Sequence, residues 1–336
     1  AALTLEANNS LIEGFIIHSW NDEGLEIDAS TSKGDNNTLR NNWVGIDSTE
    51  TPQLIGDAAI LITVGAGGNT IDGNVVVNAT AAGIWIRDAG SDNNVIVGNL
   101  IGVGPDGVTP IPNTLEGILI ETGAANNRIG GTSAAEANVI ANNGSDGIDL
   151  KATAGSGNAI LRNSIYGNGG LGIDIDPNGV NENDGGEVDA GPNDMLNFPV
   201  ITSAAALGGG TVLVYFDLDV PAGDYRIELF TNTSGADGTG NGEGETWVGS
   251  YDVVAHPGGS ATYNTTIPAG VGDVITATAT AEVAAPFGST SEFSDAFTAV
   301  AGALTVNSTG DGGDALPGNG LCDTGGFNSE GDPECT

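Results

Sequence analysis

A chain of 336 residues with 44 acidic and only seven basic side chains carries a formal net charge of −37. That balance argues against nucleic-acid binding, which needs clustered Lys and Arg, and equally against an anionic membrane surface. With 39% hydrophobic residues the chain is not of the disordered class, 55 glycines without a three-residue period exclude collagen, and no apolar run is long enough to insert into a membrane.

Residue 1 falls directly inside a patterned segment, so the chain reads as a piece of a longer precursor. From there a Gly-Ile-x-Ile motif recurs: Gly24-Leu-Glu-Ile, Ala59-Ile-Leu-Ile, Gly83-Ile-Trp-Ile, Gly117-Ile-Leu-Ile, Gly147-Ile-Asp-Leu and Gly172-Ile-Asp-Ile. A second motif, Asn-x-Ile-x-x-Asn, falls between the copies, as in Asn69–Asn74, Asn94–Asn99, Asn138–Asn143 and Asn158–Asn163. The Gly-Ile copies are spaced 35, 24, 34, 30 and 25 residues apart, which is a base unit of about two dozen residues with insertions. Each motif is too short for a helix and alternates with period 2, and the Gly and Asn between strands suit left-handed corners. The expected fold is all-β: a parallel β-helix of about six to eight coils, with asparagine amides stacked at equivalent corners.

The alternation also assigns faces. With the Ile and Leu positions inward, one outward column reads Glu26, Leu61, Trp85, Leu119, Asp149, Asp174. The other reads Asp28, Thr63, Arg87, Glu121, Lys151, Asp176, with signs that alternate and predict pairing between Arg87 and Glu121. Leu61, Trp85 and Leu119 form an apolar stripe suited to an interface.

An acidic loop over 176–194 ends the repeats. Strand-like runs follow at Thr211–Leu218, Asp224–Phe230, Thr246–Val254, Ser260–Ile267, Val274–Ala281 and Ser291–Val300, as in a small Ig-like β-sandwich. The last segment has one strand near Leu304 and Val306, and two cysteines, Cys322 and Cys335, whose simplest reading is a disulfide closing a short loop in an oxidising compartment. The expected domains are therefore 1–195, 196–301 and 302–336.

The Asn-x-Ile and Gly-Ile coils, the Asp174-Ile-Asp-Pro loop leading to Leu196-Asn-Phe-Pro-Val, and Thr290-Ser-Glu-Phe-Ser in the sandwich together resemble large bacterial right-handed β-helix surface proteins. The tail, from Leu304-Thr-Val-Asn-Ser to Glu334-Cys335-Thr336, is similar to the start of a CSLREA domain, here without the Leu-Arg stretch that follows the second cysteine in that family. The resemblance implies export to the cell surface and no particular reaction.

Candidate chemistry is centred on carboxylates. Asp174-x-Asp176-x-Asn178-Gly179 spaces oxygen ligands as the first half of a calcium loop does; Gly185 stands where the closing Glu belongs, so Glu182 and Asp184 complete the expected Ca²⁺ site by another path. A weaker calcium set is Asp311, Asp314 and Asp323. Asp149, Asp174 and Asp176, outward on adjacent coils, are also the carboxylates that a polysaccharide hydrolase or lyase of this fold would use. Against that, the two histidines, His18 and His256, lie in different expected domains and offer no triad. Trp247 is the candidate reader of a carbohydrate-binding module for surface glycans. The function expected is a non-enzymatic extracellular protein, a stalk, adhesin or filament subunit, that self-associates head to tail through the Leu304/Val306 strand.

Overall fold

The computed structural model describes residues 1–185, 190–233, 235–236, 238–282 and 287–302. Leu304, Val306, Cys322, Cys335 and the acids Asp311, Asp314 and Asp323 lie outside them.

The first half winds through three parallel sheets as a β-helix-like coil. Seven strands make the first sheet: Leu3–Leu5, Leu25–Asp28, Ile60–Thr63, Ile84–Arg87, Ile118–Glu121, Ile148–Leu150 and Ile173–Ile175. These are the Gly-Ile motifs plus a strand before them, and the register aligns them residue for residue: Ile84 with Ile60 and Ile118, Ile148 with Ile173. The second sheet takes the Asn-x-Ile segments except the copy at Asn138, from Leu11–Glu13 to Ala159–Leu161. The third, from Ile16–Ile17 to Ser164–Tyr166, uses strands of only two or three residues. Branched aliphatic side chains point inward from all three sheets, and Ile27, Ile62, Ile86, Ile120, Ile71, Ile96 and Ile140 are fully buried.

Corners between the sheets are held by asparagines. Asn37, Asn69, Asn94, Asn127, Asn158 and Asn193 form one ladder, Asn42, Asn74, Asn99, Asn138 and Asn163 a second, and Asn113, Asn143 and Asn168 a third. In each, the backbone N–H or side-chain amide of one rung donates to Oδ1 of the next, at 2.8–3.4 Å. Buried amides are thereby satisfied without water, which an unpaired buried donor or acceptor would otherwise need at a cost of about 1–3 kcal/mol. The Asn138–Asn143 copy sits one corner later than the other copies, in the second and third ladders. An earlier strand, Arg128–Gly130, and a short 3₁₀ turn, Ala134–Glu136, precede it and take the first-ladder position with Asn127.

Two four-stranded sheets, mostly antiparallel, form the second half. One holds Val200–Gly208, Thr211–Val220, Gly259–Pro268 and Val300–Ala301; the other holds Gly223–Asn232, Thr246–His256, Val274–Ala281 and Phe297–Thr298. Val212, Val214, Phe216, Leu218, Ile227, Leu229, Ile275 and Ala277 fill the space between them. Two sequence expectations are corrected here. Val200–Gly208 is a strand not anticipated, because Ala204-Ala205-Ala206 lowers its β-propensity. Ser291–Val300 is not one strand: Ser291 and Ser294 turn their hydroxyls onto the N–H groups of Ala279 and Ala277, and regular pairing begins only at Phe297. Among the described residues no helix is long and apolar enough to cross a membrane.

The sandwich closes the last coil. Phe230 and Phe293 stack edge to face, ring centroids 5.4 Å apart, and continue the apolar column of the coil. A Cβ on Gly172 or Gly244 would come within 2.9 or 2.6 Å of the Phe293 ring, so both positions require glycine. The strand edges of the last coil meet acceptors: Glu292 takes the Ile175 N–H at 2.9 Å, Thr290 Oγ1 that of Ile160 at 2.9 Å, Glu228 that of Arg162 at 2.6 Å, and Glu243 those of Gly167 and Asn168.

Candidate metal centre

Acidic side chains concentrate on the outer face of the first sheet near this capped end. Parallel pairing sets Asp149 directly beside Asp174, and Asp176 follows two residues on. Carboxylate oxygens of Asp149, Asp174 and Asp176 lie within 4.8 Å of one another, as do those of Glu116, Asp146 and Asp149. Glu116 and Asp146 each precede the glycine of their Gly-Ile motif by one residue, on adjacent coils. That shared offset was the sequence signal for them, and it was missed.

Outward does not mean exposed. Asp149 and Asp174 are 0% exposed, Asp146 6% and Glu116 8%. The loop after the last coil folds back over Asp174, and the Gly179 N–H donates to its Oδ1 at 3.1 Å. Asp176 Oδ2 accepts the Ala152 N–H at 2.7 Å. Lys151 places its Nζ on Asp149 Oδ2. What remains unpartnered is Asp149 Oδ1 and Asp174 Oδ2, both buried.

Burial pushes the Asp149 carboxyl up to about 7, against the pull of Lys151, and pushes Asp174 up to about 6, helped by the charge of Asp146. Glu292, which packs over the same coil, is likewise pushed up to about 7 by burial. Burial alone would lower the Lys151 ammonium, but the adjoining Asp149 carboxylate carries it upward. In chelator, the melting temperature of the chain should therefore rise by several degrees between pH 8 and pH 5. The folded state holds protons on these three acids that the unfolded chain releases, so their contribution is full below about pH 4 and is lost as pH rises through 6–7. The carboxylates shifted the other way, such as Asp47 at about 2, lose their contribution only at lower pH. A melting temperature that falls from pH 8 to pH 6 would contradict the burial of the three acids.

The other sequence-derived residues are placed as follows. Glu182 and Asp184 line a separate cavity of about 30 Å³ beside Glu292 and Asn197, where Asn197 bonds the backbone of Asp184. Asn178 is exposed on the wall of a groove of about 570 Å³ shared with Asp146, Asn168 and Glu243. The five-residue loop set is thus divided, and Asp174 and Asp176 gather with Asp149 of the preceding coil. In the apolar stripe Leu61 is 6% and Leu119 8% exposed, leaving little open to a partner. Arg87 does not pair with Glu121; it lies 3.8 Å from Asp88 and over the Trp85 ring, 5.1 Å from its centre. Lys151 sits beyond the end of its strand and turns to Asp149 instead of continuing the alternating column.

No protein-family model matches this chain, and no curated protein matches it. The site therefore stands on its own geometry.

Proposed function

We propose that the chain is a non-enzymatic extracellular structural protein, a right-handed parallel β-helix capped by an Ig-like sandwich, serving as a surface stalk or a filament subunit. The observation that supports this most is the continuity of the coil: the aliphatic column runs from rung to rung onto Phe230 and Phe293, and two of the asparagine ladders lead on to Thr290 and Glu243. In such a stack each coil contacts only its neighbours, so the body extends along one axis. The relation to bacterial β-helix surface proteins of the CSLREA type belongs to the same reading.

Two competing readings are weakened by particular side chains. A hydrolase needs carboxylates that reach a substrate, and Asp149 and Asp174 are buried. A sugar-stacking role for Trp247 is hindered because the Arg162 guanidinium already lies over its ring, 3.8 Å from the centre.

Assembly is head to tail in this reading. The contact in this reading is the Leu304/Val306 segment of a neighbouring copy, added to a strand edge of the coil. Electron microscopy of the native material should reveal regular filaments. Dispersed single particles at high concentration, with and without Ca²⁺, would remove the polymer.

A further inference from the structure

We propose that one Ca²⁺ ion binds between the last two coils, held by Asp149, Asp174 and Asp176. This rests on the geometry of the coil alone and holds whether or not the chain assembles.

The argument starts from oxygens already in use. Lys151 takes Asp149 Oδ2, Gly179 takes Asp174 Oδ1 and Ala152 takes Asp176 Oδ2. Each carboxylate keeps one further oxygen, and for Asp149 and Asp174 that oxygen is buried without a partner. A buried polar atom with no partner is rare and calls for an explanation by an ion or a water.

Charge makes the same demand. Glu116, Asp146, Asp149, Asp174 and Asp176 bring five carboxylates together, and Lys151 supplies one ammonium against them. Burying so much like charge is untenable unless protons or a cation offset it. A divalent ion offsets it without disturbing the hydrogen bonds already made.

Ligand type selects the ion. One oxygen from each of the three carboxylates lies within 4.8 Å of the others, close enough to share a cation. Mg²⁺ demands a tighter octahedron and gives up its waters reluctantly, whereas all-oxygen ligands from separate coils suit the looser Ca²⁺. A groove walled by Asp146, Asn178 and Gly179 lies beside the cluster, with Asp146 belonging to both.

The ion would join the coils and the cap. Asp174 and Asp176 open the loop that carries Asn181, whose N–H and amide both donate to Glu292 of the sandwich. Fixing those two aspartates fixes the start of that loop.

The test uses the full chain at low concentration, stripped with chelator and held at pH 8 in 0.1 M NaCl with excess Mg²⁺. Calorimetric titration with Ca²⁺ should reveal one saturable site, and the melting temperature should rise by several degrees. Asp174→Asn keeps an oxygen for Gly179 but removes the charge. It should melt at or above the metal-free wild type and bind Ca²⁺ at least about tenfold more weakly. Asp149→Asn should do the same. Asp184→Asn and Glu182→Gln should keep wild-type binding. The proposal is overturned if the wild type has no saturable site, if both aspartate variants keep wild-type affinity, or if only the Glu182 and Asp184 variants lose it. Measured on dilute single molecules, binding is independent of filament formation, so failure of the polymer leaves this result standing.

Discussion

Arg226→Met should destabilise the sandwich by about 3–5 kcal/mol, read as a lowered midpoint in chemical denaturation. Glu228 is 0% exposed and receives the Arg226 Nε–H at 3.1 Å on one oxygen and the Arg162 N–H at 2.6 Å on the other. Burial already pushes its carboxyl upward, and Arg226, 11% exposed and also bonded to Asp252 at 3.2 Å, is the charge that opposes this. Without the guanidinium, the buried carboxylate keeps only neutral support, the Arg162 N–H of the coil and the pull of the Trp247 side chain. Most of the cost is the stranded charge and not the lost pair, so adding Glu228→Gln to the Met background should recover much of the stability. A single variant that loses less than about 1 kcal/mol would mean that Glu228 is held neutral.

Phe293→Ala should cost about as much, roughly 3–5 kcal/mol, by opening a cavity between coil and sandwich. Its ring is 3% exposed, packed against Phe230 and against the glycines at 172 and 244. Neither glycine has a side chain to relax into the space. The loss should be local before it is global: amide exchange in the last coil, at Ile160, Ile165 and Ile173, should quicken more than at Ile62 or Ile71 in the middle of the stack. Unchanged protection of the last coil would show that the sandwich does not seal it.

The coil was readable because its rules are local and repeated. A period of 2 with branched residues sets the inward face of Ile84-Trp85-Ile86, and the same spacing in Ile118-Leu119-Ile120 fixes the register that the first sheet adopts. The third sheet was not readable, since strands as short as Leu100–Ile101 or Val75–Val76 carry no alternation of their own. The sandwich edges were partly misread where serine hydroxyls replace ladder bonds along Ala277 and Ala279.

For the acidic site, the columns put Asp149 next to Asp174, but nothing in two alternating strands says that the face is covered. The cover comes from the following loop and from Glu292, more than 100 residues away in sequence. The calcium-loop spacing at Asp174, Asp176 and Asn178 directed attention forward along the chain, toward Glu182 and Asp184. The missing neighbour lay backward, one coil earlier. Contacts of that kind are properties of the stack, and only a counted register can find them.

The asparagine ladders have a direction. Each rung donates toward the next and accepts from the one before, from Ser10 onto Asn37 through to Asn158 onto Asn193. In the first two ladders every interior rung therefore presents the same upper face and the same lower face, so these ladders accept one more or one fewer coil without changing what the cap receives. Length becomes a parameter separable from the terminator: each added coil lengthens the rod by about 4.8 Å, and the acceptors of Glu228, Glu243, Glu292 and Thr290 close it wherever the count stops.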